Sequence, residues 1–295
     1  MKSKILIFRH LLIFTLSILS TVTTMSANAE QMTLSRKIHQ LEKDLDMRIG
    51  ISFYDENNNK TWQYNGDQSF PLVSTFKAFA CAALLARVDS NQDTLERAIP
   101  VHKNQLITYS PITEKYIDKT MTNAELCSAA ITLSDNTAGN LILKNIGGPS
   151  GLTQFMRSIG DEKTQLSRWE PELNEANPGD TRDTTSPNAI VKSLRKVLLG
   201  SYLSISSQKQ LTDWLLHDKV ADGLIRSILP NDWKIGDKTG AGGYGSRAII
   251  AVIWPPGKKP VFISIYLTQT KASMDIRNHT IVEISKVIKE SLIKY

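Results

Sequence analysis

The chain has 295 residues, of which 41% are hydrophobic, and carries 35 basic against 29 acidic side chains. That length buries a large core, as one domain or as two closely packed ones. A net charge of +6 without a dense basic run, and without aromatics set among the lysines and arginines, gives nucleic-acid binding no support; two cysteines are too few for a structural zinc site.

The N-terminus has the layout of a secretory signal peptide over residues 1–29. Lys2, Lys4 and Arg9 form a basic region, Leu11 to Leu19 an apolar stretch too short to span a bilayer, and Ala27-Asn28-Ala29 an A-x-A cleavage site. Cleavage after Ala29 predicts a periplasmic or secreted protein with no membrane anchor, and leaves about 32 basic against 29 acidic residues. The remaining positive bias suits an anionic small substrate, and equally an ordinary solvated surface. In an oxidising compartment Cys81 and Cys127 are expected to be bridged, the alternative being two buried thiols.

Residues 33–45 suit an amphipathic helix. Met47–Tyr54 and Thr61–Tyr64 read as strands joined by a turn through Asn57, Asn58 and Asn59. From about residue 67 to residue 218 the pattern reads as helical, with Thr122-Asn123-Ala124-Glu125 in capping-box form and Gly147-Gly148-Pro149 closing a later helix. Strand signals return at Lys234–Ala241, Arg247–Trp254 and Pro260–Thr268, separated by Gly- and Pro-rich turns, before residues 277–294 resume a helical period. The prediction is an α+β fold: a five-stranded antiparallel sheet flanked by the N- and C-terminal helices, with an inserted all-helical domain. Residues 30–66 with 219–295 make the sheet domain and residues 67–218 the helical one.

Four clusters carry chemistry. Ser74-Thr75-Phe76-Lys77 opens the apolar run Ala78–Val88, which puts a hydroxyl at a helix N-terminus with an amine one turn on, on the same face. Such a pair describes an activated nucleophile; the competing reading is a helix cap followed by a surface lysine. Ser-x-x-Lys recurs at Ser193–Lys196 and Ser206–Lys209, but only Ser74 precedes an all-round apolar helix. Ser134-Asp135-Asn136 lies between two helical segments. It offers a second hydroxyl for proton transfer and an amide for a substrate carbonyl, or simply a helix cap. Lys238-Thr239-Gly240 lies on a strand, with Arg247 on the next. Two cations and a hydroxyl there suit a carboxylate, and Gly240 lets a substrate approach closely; the plainer reading is a surface strand of alternating charge. In the loop-like stretch from Arg168 to about Thr185, Glu170 with Asn174 suits the holding of a water. Arg168 and Asp183 suit an ion pair across the loop ends and Glu170–Pro171 a cis bond, against an alternative of solvated loop charge.

In this order, S-x-x-K, S-D-N, E-P-E-L-N and K-T-G resemble the class A β-lactamases across essentially the whole mature length. The Cys81/Cys127 pair fits the same family. The resemblance implies that Ser74 attacks the lactam carbonyl, with Lys77 and Glu170 sharing the role of base. The backbone N–H groups of Ser74 and Ala241 would hold the oxyanion, and Ser134 would pass a proton to the lactam nitrogen, helped by Lys77 and Lys238. Asn136 would orient the substrate's side-chain amide, Tyr109 would flank the entrance, and Lys238, Thr239 and Arg247 would bind the carboxylate. Glu170 and Asn174 would then activate the hydrolytic water. No metal or cofactor is implied, and the expected state is a monomer acting on small β-lactams, penicillins ahead of early cephalosporins. The cysteine pair of carbapenem-hydrolysing members would stand at Val73 and Gly242. The stretch Ser264–Thr270 resembles the carbenicillin-hydrolysing branch, which often has Arg where Lys238 stands. The alternatives are a penicillin-binding D,D-peptidase, against which Glu170, Asn174 and the expected lack of a membrane anchor argue, and a β-lactam sensor acylated without turnover, which normally sits behind transmembrane segments that the sequence does not predict. A conventional esterase lacks its G-x-S-x-G here, and His39, His102, His217 and His279 stand in no supporting motif.

Overall fold

Leu34 and Ile38, one turn apart and both buried, give the first helix, α1 (residues 32–44), an inward face. The structure, a computed structural model, describes residues 32–292; the signal peptide over 1–29 and its cleavage after Ala29 lie outside the described residues. β1 (Arg48–Asp55) and β2 (Lys60–Tyr64) form a hairpin in the register Phe53↔Trp62. Its asparagines make the turn. Asn57 N donates to Asp55 Oδ1 and Lys60 N to Asn58 Oδ1, each at 2.8 Å, and Asn59 takes a left-handed φ of 55°.

β7 (Lys234–Ala241), β8 (Arg247–Trp254) and β9 (Val261–Thr268) complete an antiparallel sheet in the order β2-β1-β9-β8-β7. Side chains alternate across each strand. Ile249, Ala251 and Ile253 of β8 pack with α1 and with Ile281, Ile284 and Ile288 of the last helix, α8 (Met274–Leu292). Ala248, Ile250 and Val252 point the other way, into the core of the helical layer. Both faces are covered, so β8 and β9 are written as unbroken apolar runs rather than as alternation.

The helical layer comprises α2 (Phe76–Asp89), α3 (Asn123–Thr132), α4 (Asn136–Asn145), α5 (Gly148–Ser158), α6 (Pro187–Leu199) and α7 (Ile205–Leu216). α2 is its axis: every residue from Phe76 to Leu85 is buried, among α3, α4, α5 and α7. Thr122 caps α3 in the capping box, its side chain accepting from Glu125 N while Glu125 Oε2 accepts from Thr122 N at 2.7 Å. No helix among the described residues is long and apolar enough to cross a membrane.

A Cys81–Cys127 disulfide ties α2 to α3 across 46 residues. Closing a loop of that length restricts the unfolded chain by about 4 kcal/mol in the chain-entropy account. Replacing both cysteines by alanine is therefore expected to cost about 2–4 kcal/mol, read as a lower urea midpoint. Activity at ambient temperature should stay within about twofold, since neither cysteine lines the cleft described below. An unchanged midpoint would show that the bridge is absent from the protein in solution.

Two details differ from the sequence reading. The stretch from 67 to 218 is not wholly helical: β3 (Phe70–Pro71) pairs with β6 (Thr184–Thr185), and β4 (Ala98–Val101) with β5 (Lys119–Thr122). Two-residue strands are too short for a period to register, and Pro100 inside β4 argues against a strand unless it lies at an edge. Gly147-Gly148-Pro149 does more than close a helix. α4 stops at Asn145, Gly147 at a φ of 95° caps α5, and Pro149 stands in the first turn.

Candidate active site

A 3-10 turn, Val73–Thr75, leads into α2, so Ser74 stands where the helical path begins and Lys77 one turn further on. Lys77 is wholly buried, and a lysine stays there only with partners. Its Nζ donates to Ser74 Oγ at 3.0 Å, Ser134 O at 2.8 Å and Asn136 Oδ1 at 2.7 Å, and lies 3.1 Å from Glu170 Oε1. Burial pulls the Lys77 pKa below the ordinary lysine value, and the Glu170 charge opposes that pull. Ser74 Oγ makes a long contact of 3.4 Å to Glu170 Oε1. The hydroxyl thus lies between an amine and a carboxylate.

Ser134-Asp135-Asn136 divides between its two readings. Asp135 is the cap of α4, its Oδ1 accepting from Ala138 N at 2.9 Å. Its Oδ2 takes Ile112 N and Thr113 N, each at 2.9 Å, which fastens the loop that carries Tyr109. Ser134 and Asn136 face the cleft, and Asn136 Nδ2 donates to Thr108 O at 2.7 Å.

Lys238 is not on the cleft wall. It is wholly buried behind it, with Nζ donating to Ser134 Oγ at 3.1 Å and to Thr239 O at 2.9 Å. Burial brings its pKa down to about 8. Thr239, Gly240, Ala241 and Arg247 do line the cleft. Arg247 Nε donates to Asn278 Oδ1 at 2.8 Å and Nη1 to Gly240 O at 3.2 Å. Burial and the nearby Arg277 charge lower the Arg247 pKa to about 10.

The loop from 168 to 183 is held at its ends by Arg168 Nε to Asp183 Oδ2 at 2.6 Å, and Asp183 Oδ1 also accepts from Ser167 N and Arg168 N. Asp183 O accepts from Leu72 N at 2.8 Å, which joins the loop to the nucleophile's own segment. Glu170–Pro171 is cis. The Glu170 backbone is gripped by one side chain: Asn140 Oδ1 accepts from Glu170 N at 3.0 Å and Asn140 Nδ2 donates to Glu170 O at 2.9 Å. Asn174 Nδ2 donates to Glu170 Oε2, while the buried Asn174 Oδ1 has no hydrogen-bond partner in the protein and remains an acceptor.

The cleft between these groups measures about 390 Å³, the scale of a small-molecule site. Val73, Tyr109 and Ser134, at or beside it, have φ of 43°, 66° and 58°. Backbone of that kind costs on the order of 1–3 kcal/mol per residue and persists where its surroundings over-determine it. Sequence reasoning missed Asn140, Val220, Met274 and Asn278. Asn140 stands four residues after Asn136 on α4, a spacing that marks a shared face; the other three come from a loop and from α8 and carry no local signal. Asn140→Ala is expected to slow release of the acyl group about 100-fold while acylation stays within about tenfold, since it frees the Glu170 backbone and leaves Ser74 untouched. Quenched samples weighed by mass spectrometry would show the adduct building up; acylation and release falling together would sink the idea.

The model of the β-lactamase enzyme family matches residues 33–292 of the chain. Over 260 residues the chain is 55% identical to the β-lactamase AER-1 of Aeromonas hydrophila, covering 88% of this chain and 86% of that protein. Over 280 residues it is 45% identical to the β-lactamase PSE-4 of Pseudomonas aeruginosa, covering 95% and 96%. An ancestral class A β-lactamase of known structure superposes with a TM-score of 0.86 at 51% identity, covering 88% of this chain and all 100% of that one. The chromosome-encoded β-lactamase of Vibrio parahaemolyticus gives 0.87 at 44% identity, covering 89% and 100%. With the matched span of residues 33–292 taking in the Ser74 turn, the 168–183 loop and the Lys238 strand, the chain belongs to the β-lactamase enzyme family, among its class A serine enzymes.

Proposed function

We propose that the chain, exported and monomeric, hydrolyses penicillins, and early cephalosporins more slowly, through an acyl-enzyme on Ser74. The observation that carries the reading is the position of Ser74 Oγ, 3.0 Å from Lys77 Nζ and 3.4 Å from Glu170 Oε1. Oγ bonds to the lactam carbonyl carbon while its proton passes to Lys77 or, through a water, to Glu170; the two share the role. The N–H groups of Ser74 and Ala241 hold the oxyanion, each donor being worth about 3–4 kcal/mol in comparable holes. The C–N bond then breaks, and the nitrogen takes its proton from Ser134 Oγ, backed by Lys238 Nζ at 3.1 Å, while the proton that left Ser74 passes through Lys77 to restore the Ser134 hydroxyl. The substrate carboxylate meets Thr239 and Arg247, with the Lys238 charge behind them, beside Gly240. Asn136 Nδ2 turns its second hydrogen to the side-chain amide, and Tyr109 flanks the entrance. In the second half Glu170 takes a proton from a water held with Asn174. The water oxygen bonds to the ester carbon, the C–Oγ bond breaks, and Ser74 recovers its proton. No step calls on a metal or cofactor.

Purified protein mixed with several equivalents of benzylpenicillin tests this directly. Loss of all the lactam absorbance with unmodified protein at the end is the expected result. Consumption of one equivalent, with a lasting adduct on Ser74, would identify a peptidase or a sensor instead.

A further inference from the structure

Beneath the cleft lies a carboxyl group that the proposed steps do not use. Asp218 is 4% exposed, and Asp237, the residue before Lys238 on β7, is fully buried. Asp237 engages both oxygens with Arg226, Nε to Oδ2 and Nη2 to Oδ1, each at 3.0 Å. Asp218 Oδ1 accepts from Val220 N at 2.7 Å, whereas its buried Oδ2 meets no hydrogen-bond donor. An ionised oxygen left in that state is costly. The two carboxyls also interact: burial, and for Asp237 the Asp218 charge as well, hold both above the ordinary carboxylate range, with Asp237 at about 8. One proton on Asp218 Oδ2 answers both observations. It turns the orphan acceptor into a donor toward Asp237, which keeps Arg226, and it removes one of two adjacent like charges.

We propose that Asp218 is the positioning residue of Lys238: it shares one proton with Asp237, and the pair forms a switchable counter-charge behind the ammonium that Lys238 holds against Ser134 Oγ. The inference rests on the use of Lys238 and Ser134 proposed above. The charged groups that bear on the pair are Arg226 from the turn before β7 and Lys238 on β7, and Asp218 in turn acts on Arg247 of β8. Lys77 of α2 acts on Lys238, and Arg277 of α8 on Arg247. With the shared proton in place, the pair and Arg226 are neutral together. As pH rises and that proton leaves, a second negative charge develops beside Lys238. Carboxylate charge there raises the Lys238 pKa, so the ammonium survives to higher pH than it would alone.

Asp218→Asn has the shape of the protonated carboxyl, its Nδ2 placed to donate to Asp237 and its Oδ1 to accept from Val220, but it has no proton to release. The comparison is kcat/KM for benzylpenicillin, wild type against variant, from about pH 6 to about pH 9.5. The expected result is agreement within about twofold at about pH 6, and an alkaline limb displaced downward by about one pH unit in the variant. That displacement makes the variant roughly tenfold slower near pH 9, with the loss in acylation. Parallel profiles at every pH would overturn the proposal by showing that the pair does not act on Lys238. A full loss already present at pH 6 would also overturn it, because Asp218 would then be ionised throughout. Infrared difference spectra of the wild type over the same range decide the shared proton without any variant. One buried protonated-carboxyl band disappearing as pH rises supports the assignment, and no such band at pH 6 overturns it. A wild type that fails to hydrolyse benzylpenicillin would refute the function proposed above and leave this spectral test standing.

Discussion

Glutamine in place of Glu170 is expected to trap the protein as an acyl-enzyme, with kcat for benzylpenicillin lower by about 100- to 10,000-fold. The carboxylate is 2% exposed and is aimed by Asn140 from behind and by Asn174 and Lys77 at its two oxygens. Glutamine keeps the size and a carbonyl acceptor but takes no proton from water, so the second half of the cycle stops. The first half continues. Glu170 supplies the charge that opposes burial at Lys77, so removing it lowers the Lys77 pKa further and leaves the amine neutral from a lower pH upward. A neutral amine 3.0 Å from Ser74 Oγ is able to take the hydroxyl proton. Acylation should therefore persist, with its acidic limb displaced to lower pH. Stopped-flow absorbance measures the burst and intact mass the adduct. Turnover within tenfold of the wild type, with no adduct, would mean that another base drives deacylation.

A single methyl group on Gly240 is expected to lower kcat/KM by about 100-fold or more. A Cβ there would lie 2.3 Å from Val73 Cγ2 and 2.8 Å from Ser74 N. The first neighbour is a β-branched residue already at a φ of 43°, and the second is the nucleophile's own N–H. Neither yields as a flexible side chain does, so either β7 or the Ser74 turn moves. Both carry proposed oxyanion donors, and displacement of such a donor removes transition-state stabilisation directly. Overpacking of this kind should also cost about 1–3 kcal/mol of stability. Gly223→Ala is the control, because a Cβ there meets nothing within 4 Å. If Gly240→Ala retained wild-type kcat/KM, the close packing of β7 on the Ser74 turn would have no part in the chemistry.

Much of the sheet was legible because its strands are bounded by strong turn signals. The three-stranded half came out within a residue at each end, Pro260–Thr268 against an observed Val261–Thr268. The short ladders were illegible because two to four residues carry no usable period. At the site, motif spacing pointed to Ser74, Ser134 and Lys238, but no local pattern shows that Lys238 is buried with its Nζ against Ser134 Oγ. Asp135 shows the limit from the other side. Its residue type announces a helix cap, and it is one, but nothing local reveals that its second oxygen fastens the Tyr109 loop.

What the sequence determined by itself is whatever backbone periodicity encodes. A serine and a lysine three residues apart share a helix face, and the asparagine-rich turn between β1 and β2 follows from residue type alone. The tertiary structure decided which groups are stripped of water and what stands opposite them. Ser74 meets Glu170 across 96 residues of chain, and Lys238 meets Ser134 across 104. Asp218, two residues past the end of α7, and Asp237 on β7 act on each other across a packing of α7 against β7. Burial and pairing set the charge states of Lys77, Lys238 and the aspartate pair, and both arise from long-range packing that no local pattern records.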